Sequence, residues 1–246
     1  VICAGRTDAG VSACYQVIHF DAQVQRPERA WLMGGNTYLP EDIALLWVKP
    51  VSTDFHARFS AQARRYRYII YSAAVKPGVL AKGITWTWKV LDEVKMQQAA
   101  EALIGEHDFT SYRAVACQAR NPVRQVQHLK VYRQGQLLVI DIKANAFLHH
   151  MVRNITGCLM DIGLHKHEPI WLKELLDVKE RAKASATAKA PWAGPRCAGL
   201  RCPARSRRWS TARTSPQNTH RCSLTIILKI QTVVRQRQAL KATIQR

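Results

Sequence analysis

The sequence predicts an α+β fold, and three observations carry that expectation. Several stretches alternate apolar and polar residues with period two, as strands do. Two of them, Val123–Arg133 and Leu137–Ala144, are joined at Gln134-Gly135, a hairpin signal. Three others, at 92–104, 147–164 and 170–178, carry apolar residues at helical spacing instead.

The chain opens on a short apolar piece, Val1–Ala4, followed by Gly5-Arg6-Thr7-Asp8-Ala9-Gly10-Val11 and a strand over Cys14–Asp21. An acidic residue thus sits in a tight turn between two extended segments. Gly5 and Gly10 let the backbone bend without a Cβ clash. Asp8 in such a turn either caps it through side-chain to backbone hydrogen bonds or is displayed for chemistry. Pro27 opens a helix through Trp31 and Met33 that Gly34-Gly35-Asn36 breaks. Ile43–Val48 is a nearly continuous apolar run, short enough for a buried strand, and Pro50 ends it.

Arg64–Tyr71 is the next strand. Period two puts Arg64, Tyr66, Tyr68 and Ile70 on one face and Arg65, Arg67, Ile69 and Tyr71 on the other. Such a strand is either an edge with solvated arginines or a surface where tyrosine stacks on a base and arginine meets phosphate. Asp92 is the expected N-cap of a helix to Ile104, with Val94, Ala99, Leu103 and Ile104 inward and Gly105 as its stop. His107–Tyr112 follows as a loop.

Phe147–Leu164 is the clearest helix, with Phe147, Met151, Ile155, Leu159 and Ile162 as its apolar stripe. His150, Arg153, Asn154 and Gly157 share another face, where Gly157 would admit a second backbone closely. On a helix His149 and His150 project about 100° apart, so no chelate and no metal is expected from them. Ile170–Val178 forms a last short helix.

The chain has 246 residues, a net charge of +20 and 47% hydrophobic residues, which is globular with a polyanionic partner, nucleic acid before membrane surface. No run approaches the roughly 20 apolar residues of a membrane helix. The charge is uneven. Of 37 basic residues 12 lie from Pro191 onward, with no acidic residue among them, leaving 25 basic against 17 acidic before it, a net of +8. From Pro191 to Arg221 the composition reads as disordered. Leu224–Gln245 regains apolar residues and reads as a basic amphipathic helix. The seven cysteines include no C-x-x-C pair, and Cys197, Cys202, His220 and Cys222 have poor zinc spacing. Reduced thiols are expected, with Cys3, Cys14, Cys117 and Cys158 as small core residues. No phosphate-binding loop or dinucleotide fingerprint occurs.

Gly5-Arg6-Thr7-Asp8-Ala9-Gly10-Val11 resembles the catalytic motif of the tRNA pseudouridine synthase A family, whose Asp is the nucleophile. Ser12 stands where the family usually has His. Arg64-Arg65-Tyr66-Arg67-Tyr68 resembles the second motif, and its Tyr maps onto Tyr66. Asn145-Ala146-Phe147-Leu148-His149-His150-Met151-Val152-Arg153-Asn154 resembles the third, whose Arg pairs with the catalytic Asp. His107–Tyr112 is similar to a segment near the family's cleft. The resemblance runs from Val1 to about Ala190 and stops there.

It implies a pseudouridine synthase fold: a mixed, largely antiparallel sheet with flanking helices and two related halves around a basic cleft. Residues 1–52 would be a remnant of the N-terminal half, 53–190 the central strands and C-terminal half, and 191–246 a tail foreign to the family. It implies Asp8, Arg153 and Tyr66 as catalytic residues. Arg6, Arg58, Arg64, Arg65 and Arg67, with Tyr66, would bind tRNA in the anticodon arm. It further implies a cytoplasmic homodimer that uses no cofactor, no metal and no membrane. A non-catalytic basic RNA-binding module is the competing expectation, in which Asp8 is only a turn cap. The abrupt start and the acid-free tail suggest lost upstream sequence and a reading-frame change near residue 190. On that basis the chain is expected to be a damaged enzyme with strands missing on both sides.

Overall fold

The computed structural model of the chain describes residues 1–8, 11–78, 83–188, 196–197 and 224–232. The elements run β1 (Ile2–Cys3), β2 (Ala13–Ala22), α1 (Glu28–Tyr38), β3 (Ile43–Val51), β4 (Arg64–Ser72) and β5 (Thr85–Thr87). They continue with α2 (Glu93–Glu101), β6 (Gly105–Asp108), a 3-10 turn at Thr110–Tyr112, β7 (Val123–Gln134), β8 (Leu137–Ala144), α3 (Met151–Gly163) and α4 (Trp171–Val178). A second 3-10 turn at Arg181–Lys183 precedes β9 (Arg196–Cys197) and β10 (Leu224–Thr232).

The strands form one mixed sheet in the order β3-β10-β2-β9-β4-β8-β7-β6, with β1 also on β2 and β5 also on β4. Among the described residues only β2–β9 and β4–β5 are parallel; the other pairings are antiparallel. The α+β expectation and the largely antiparallel sheet are borne out. The hairpin also forms as expected: β7 pairs with β8 from Gln134↔Leu137 onward, and Gly135 turns with φ 59.

The main core lies between β4, β7 and β8 on one side and α2, α3 and α4 on the other. Tyr68, Ile70, Leu138, Ile140 and Ile142 meet Met96, Leu103, Ile155, Leu159 and Ile162 there. Each such side chain contributes roughly 1.5–3 kcal/mol by leaving water. A smaller core packs Trp31 and Leu32 of α1 on Ile18, Leu45 and Val48. A third joins Ala4, Val17 and Ala57 behind the Asp8 loop.

Several expectations are corrected. α1 runs through Gly34 and Gly35, because Gly35 presses against Leu45, where a Cβ would lie 2.3 Å from Cδ1. Asn36 secures that contact by bonding the backbone of Leu45 at both ends of its amide. β3 continues past Pro50, which is tolerated because β3 is an edge strand. Asp92 does cap α2, accepting from the amides of Val94 and Lys95 at 3.0 Å, a contact worth about 1 kcal/mol. That helix nevertheless buries Met96, Ala99 and Ala100 while Val94 and Ile104 stay exposed. Gly105, at φ 113, does not merely stop the helix but starts β6, so 105–108 is strand rather than loop. Cys158 is buried, whereas Cys3 and Cys14 are exposed and Cys117 lies between.

The tail differs most. Leu224–Thr232 is a strand, not the start of a helix, as its β-branched Thr225, Ile226, Ile227, Ile230 and Thr232 favour. β10 pairs along β2 from Leu224↔Ala22 and along β3 from Thr225↔Val51. The sheet is therefore not left open between β2 and β3. Residues 191–195, 198–223 and 233–246, on which the expectations of disorder and of a frame change also fall, lie outside the described residues. Among the described residues no helix is long and apolar enough to cross a membrane.

Candidate active site

Asp8 lies midway along the loop that joins β1 to β2. Arg153 projects from the first turn of α3. Its Nη1 donates to Asp8 Oδ2 at 3.3 Å, and its Nε donates to the carbonyl of Ala188 at 3.0 Å. The guanidinium is thereby held at two points. The Arg153 side chain is 22% exposed and that of Asp8 34%, so the pair is sheltered yet reachable. α3 can carry Arg153 this close because Gly157, one turn on, abuts the segment that follows α4, where a Cβ would lie 2.2 Å from the carbonyl oxygen of Ala186. Asn154 is buried and donates to the carbonyl of Tyr112, which fixes the helix rotation.

The start of α3 corrects the expectation for the histidines. His150 is the N-cap, with φ 58 and ψ 8, and 147–150 is not helical. The left-handed turn brings the rings of His149 and His150 to 3.8 Å between centroids. Both face Asp8, with Nε2 of His149 4.0 Å from Oδ1 and Nε2 of His150 3.4 Å from Oδ2. Burial lowers the pKa of His150; Asp8 opposes this, while His149 and Arg153 reinforce it. The ground for rejecting a chelate therefore fails, since one donor atom from each of Asp8, His149 and His150 lies within 4.8 Å of the others. A metal ion there would lie against the guanidinium already on Asp8. The double histidine before the helix was the available signal for this cluster, and a helical reading concealed it.

Tyr66 sits on β4 with its ring edge-on to Phe147, 5.0 Å between centroids. It lines a small cleft with Gly5, Thr7, Tyr15, Gln16 and Arg64. That cleft adjoins the Asp8 loop through Thr7. Tyr68, the next core-facing residue of β4, is buried; burial raises its phenol to about 12, against its hydrogen bond with Thr85 and the charge of Arg153.

The arginines separate into two groups. Arg6 and Arg58 are exposed. Arg65 forms a two-pronged pair with Asp141 at 2.6 Å on each oxygen, and Arg67 donates to the same carboxylate at 2.9 Å. Arg64 donates to backbone carbonyls of Ala4, Arg58 and Asn145. These three guanidinium groups, expected on tRNA, are thus engaged within the protein. Asp141 had no local sequence signal, because only the β4–β8 register places it opposite Arg67.

A family model described as tRNA pseudouridine synthase matches residues 99–194. The chain is 63% identical over 190 residues to tRNA pseudouridine synthase A of Pseudoalteromonas translucida, which covers 77% of this chain and 72% of that protein. It is 58% identical to the protein of the same name from Yersinia pestis, over 77% of this chain and 72% of the relative. The Escherichia coli protein is 57% identical, over 77% and 70%. With identities this high over more than two thirds of each relative, the chain belongs to the tRNA pseudouridine synthase A family.

Proposed function

We propose that this protein isomerises uridine to pseudouridine in tRNA with Asp8 as the nucleophile. The observation that carries the reading is the ion pair of Asp8 and Arg153, formed across 145 residues of sequence in a chain of this family. Isomerisation detaches uracil N1 from C1′ of ribose, turns the base and joins C5 to C1′. N1 gains a proton and C5 loses one, so no redox partner is needed. A carboxylate serves this chemistry by adding covalently to the ring or the sugar and leaving again. Arg153, tied to Ala188, orients that carboxylate. Tyr66 offers a ring edge and face at the cleft for a base turned out of its stack. Arg6 and Arg58, both exposed, meet the phosphates.

The family resemblance extends this reading to uridines of the anticodon arm, to a homodimer and to the cytoplasm. The absence of a fixed metal follows the same resemblance. A purely RNA-binding module would have no use for a carboxylate fixed by a two-point guanidinium.

The test is tritium release from tRNA carrying 5-tritiated uridine. Because β10 fills the sheet between β2 and β3, where a strand was expected to be missing, turnover by the chain is expected, and it should disappear in Asp8→Asn with tRNA affinity kept. Turnover by Asp8→Asn at the rate of the unaltered chain would refute the assignment.

A further inference from the structure

Arg64 opens β4, two residues before Tyr66. Its Nη1 donates to the carbonyl of Asn145 at 2.8 Å, and its Nη2 to the carbonyls of Ala4 at 2.9 Å and Arg58 at 3.2 Å. Ala4 is buried and stands four residues before Asp8. Asn145 begins the run that carries His149, His150 and Arg153. Its own side chain is fixed, with Oδ1 accepting from the amides of Gln125 and Ala146. On the other side of the loop entry, Gln16 Nε2 donates to the carbonyl of Gly5 at 2.8 Å.

One guanidinium therefore spans the segment before the nucleophile and the segment before its partner. Neither Ala4 nor Asn145 has a side chain that could do this across the gap. Three carbonyls in divergent directions need several donors on a rigid frame. Arg provides that frame, whereas Lys has one nitrogen on a flexible stem. Arg64 is also crowded by like charge: burial lowers its pKa, and Arg58 and Arg124 lower it further against Tyr66. A cation in such a place stays because carbonyls surround it.

We propose that Arg64 is a positioning residue that sets the Asp8 loop against the His149–Arg153 segment, and is not a phosphate contact. The proposal rests on the isomerase reading above. Its consequence is that the separation of Asp8 and Arg153 is fixed before tRNA arrives.

The test uses Arg64→Lys and Arg64→Gln in the full 246-residue chain. Single-turnover tritium release should fall on the order of 10–100-fold in both, since small misplacements of reacting groups cost that much. The Kd for tRNA should stay within about twofold, the pattern of lost orientation rather than lost binding. The salt dependence of that Kd should be unchanged in Arg64→Gln. A phosphate contact would instead make its log–log slope shallower by about one and let Lys substitute, and that result overturns the proposal. Amide exchange adds a readout that needs no turnover. It should quicken across Ala4–Asp8 and Asn145–Arg153 in Arg64→Lys while β7 and β8 remain protected. Unchanged exchange in both segments would also overturn the proposal. A chain that shows no turnover at all would count against the isomerase reading, and exchange and salt slope would still decide the role of Arg64.

Discussion

Arg153 holds Asp8 and Ala188 at once, at 3.3 and 3.0 Å, so one guanidinium links the Asp8 loop, the first turn of α3 and the chain that follows α4. This arrangement makes orientation, more than charge alone, the quantity that substitution should disturb.

Arg153→Ala is expected to lower the single-turnover rate by roughly 100-fold while tRNA affinity changes much less, because a released carboxylate loses its alignment. Arg153→Lys should recover part of the rate. It keeps the charge but cannot reach Asp8 and Ala188 together. Rapid-quench measurements on the two variants check this; equal rates for Arg153→Ala and the unaltered chain would sink it.

Asp141 anchors Arg65 and Arg67 with a side chain only 3% exposed, while both arginines are more than a third exposed. Asp141→Asn should destabilise the fold by roughly 1–3 kcal/mol, less than for a fully buried pair because solvent screens the arginines. Thermal unfolding of the variant measures it. No loss of stability would mean that the pair contributes only geometry.

Acid should weaken the fold in two windows. His19 is buried with Nδ1 accepting from the amide of Ala57, and burial, then His56, lowers its pKa against Asp21. The folded state resists the proton that the unfolded chain accepts below 6.5. Its contribution is therefore present above that pH and is lost as pH falls toward the lowered folded value. Asp141 acts further down: burial alone would raise its pKa, but hydrogen bonds from Arg65 and then Arg67 outweigh this and lower it. Its stability is kept above 3.8 and lost as pH falls through the lowered folded value. Melting curves from pH 8 to 3 should show a first decline that His19→Gln reduces and a second that Asp141→Asn reduces, with His150 and the carboxylates of Asp92, Glu93, Asp108 and Asp161 supplying the remainder. A single decline untouched by either variant would contradict the assignment.

Two glycines should respond in opposite directions. A methyl at Gly157 would meet the backbone of Ala186, which cannot move without shifting the segment that holds Arg153. Gly157→Ala should destabilise by about 1–3 kcal/mol. Gly34 lies inside α1 with open space around its Cβ position. Gly34→Ala should stabilise by up to about 1 kcal/mol through helix propensity. Parallel denaturant titrations decide both, and like signs would be the wrong answer.

What was legible in the sequence was the local part. Period two marked β2, β4, β7 and β8, and Asp92 marked the start of α2, because these signals arise within a few residues. Gly34-Gly35 misled, since the helix survives by packing on Leu45, a partner that no local pattern shows. The left-handed turn at His150 was invisible for a related reason: it accompanies long-range contacts of the residues around it, His150 with Asp8 and Asn154 with Tyr112, that no local pattern shows. Asp8 and Arg153 were paired through family resemblance, and their meeting follows from the sheet. The carbonyl clamp of Arg64 joins three distant segments and had no sequence signal beyond a run of arginines.

β10 carries one further consequence, for the order in which the molecule is made. β2 and β3 do not pair with each other; each finds its ladder in β10, with Ala22 opposite Leu224 and Val51 opposite Thr225. A chain delivered from its amino end holds these two early strands ready long before their common neighbour exists. Closing so long a loop is slow, and meanwhile each strand offers an unpaired edge to other chains. The region of β4, β7, β8 and the three later helices needs no such wait. Assembly is therefore expected to start in the middle of the chain, with the ladders of β2 and β3 on β10 completed last.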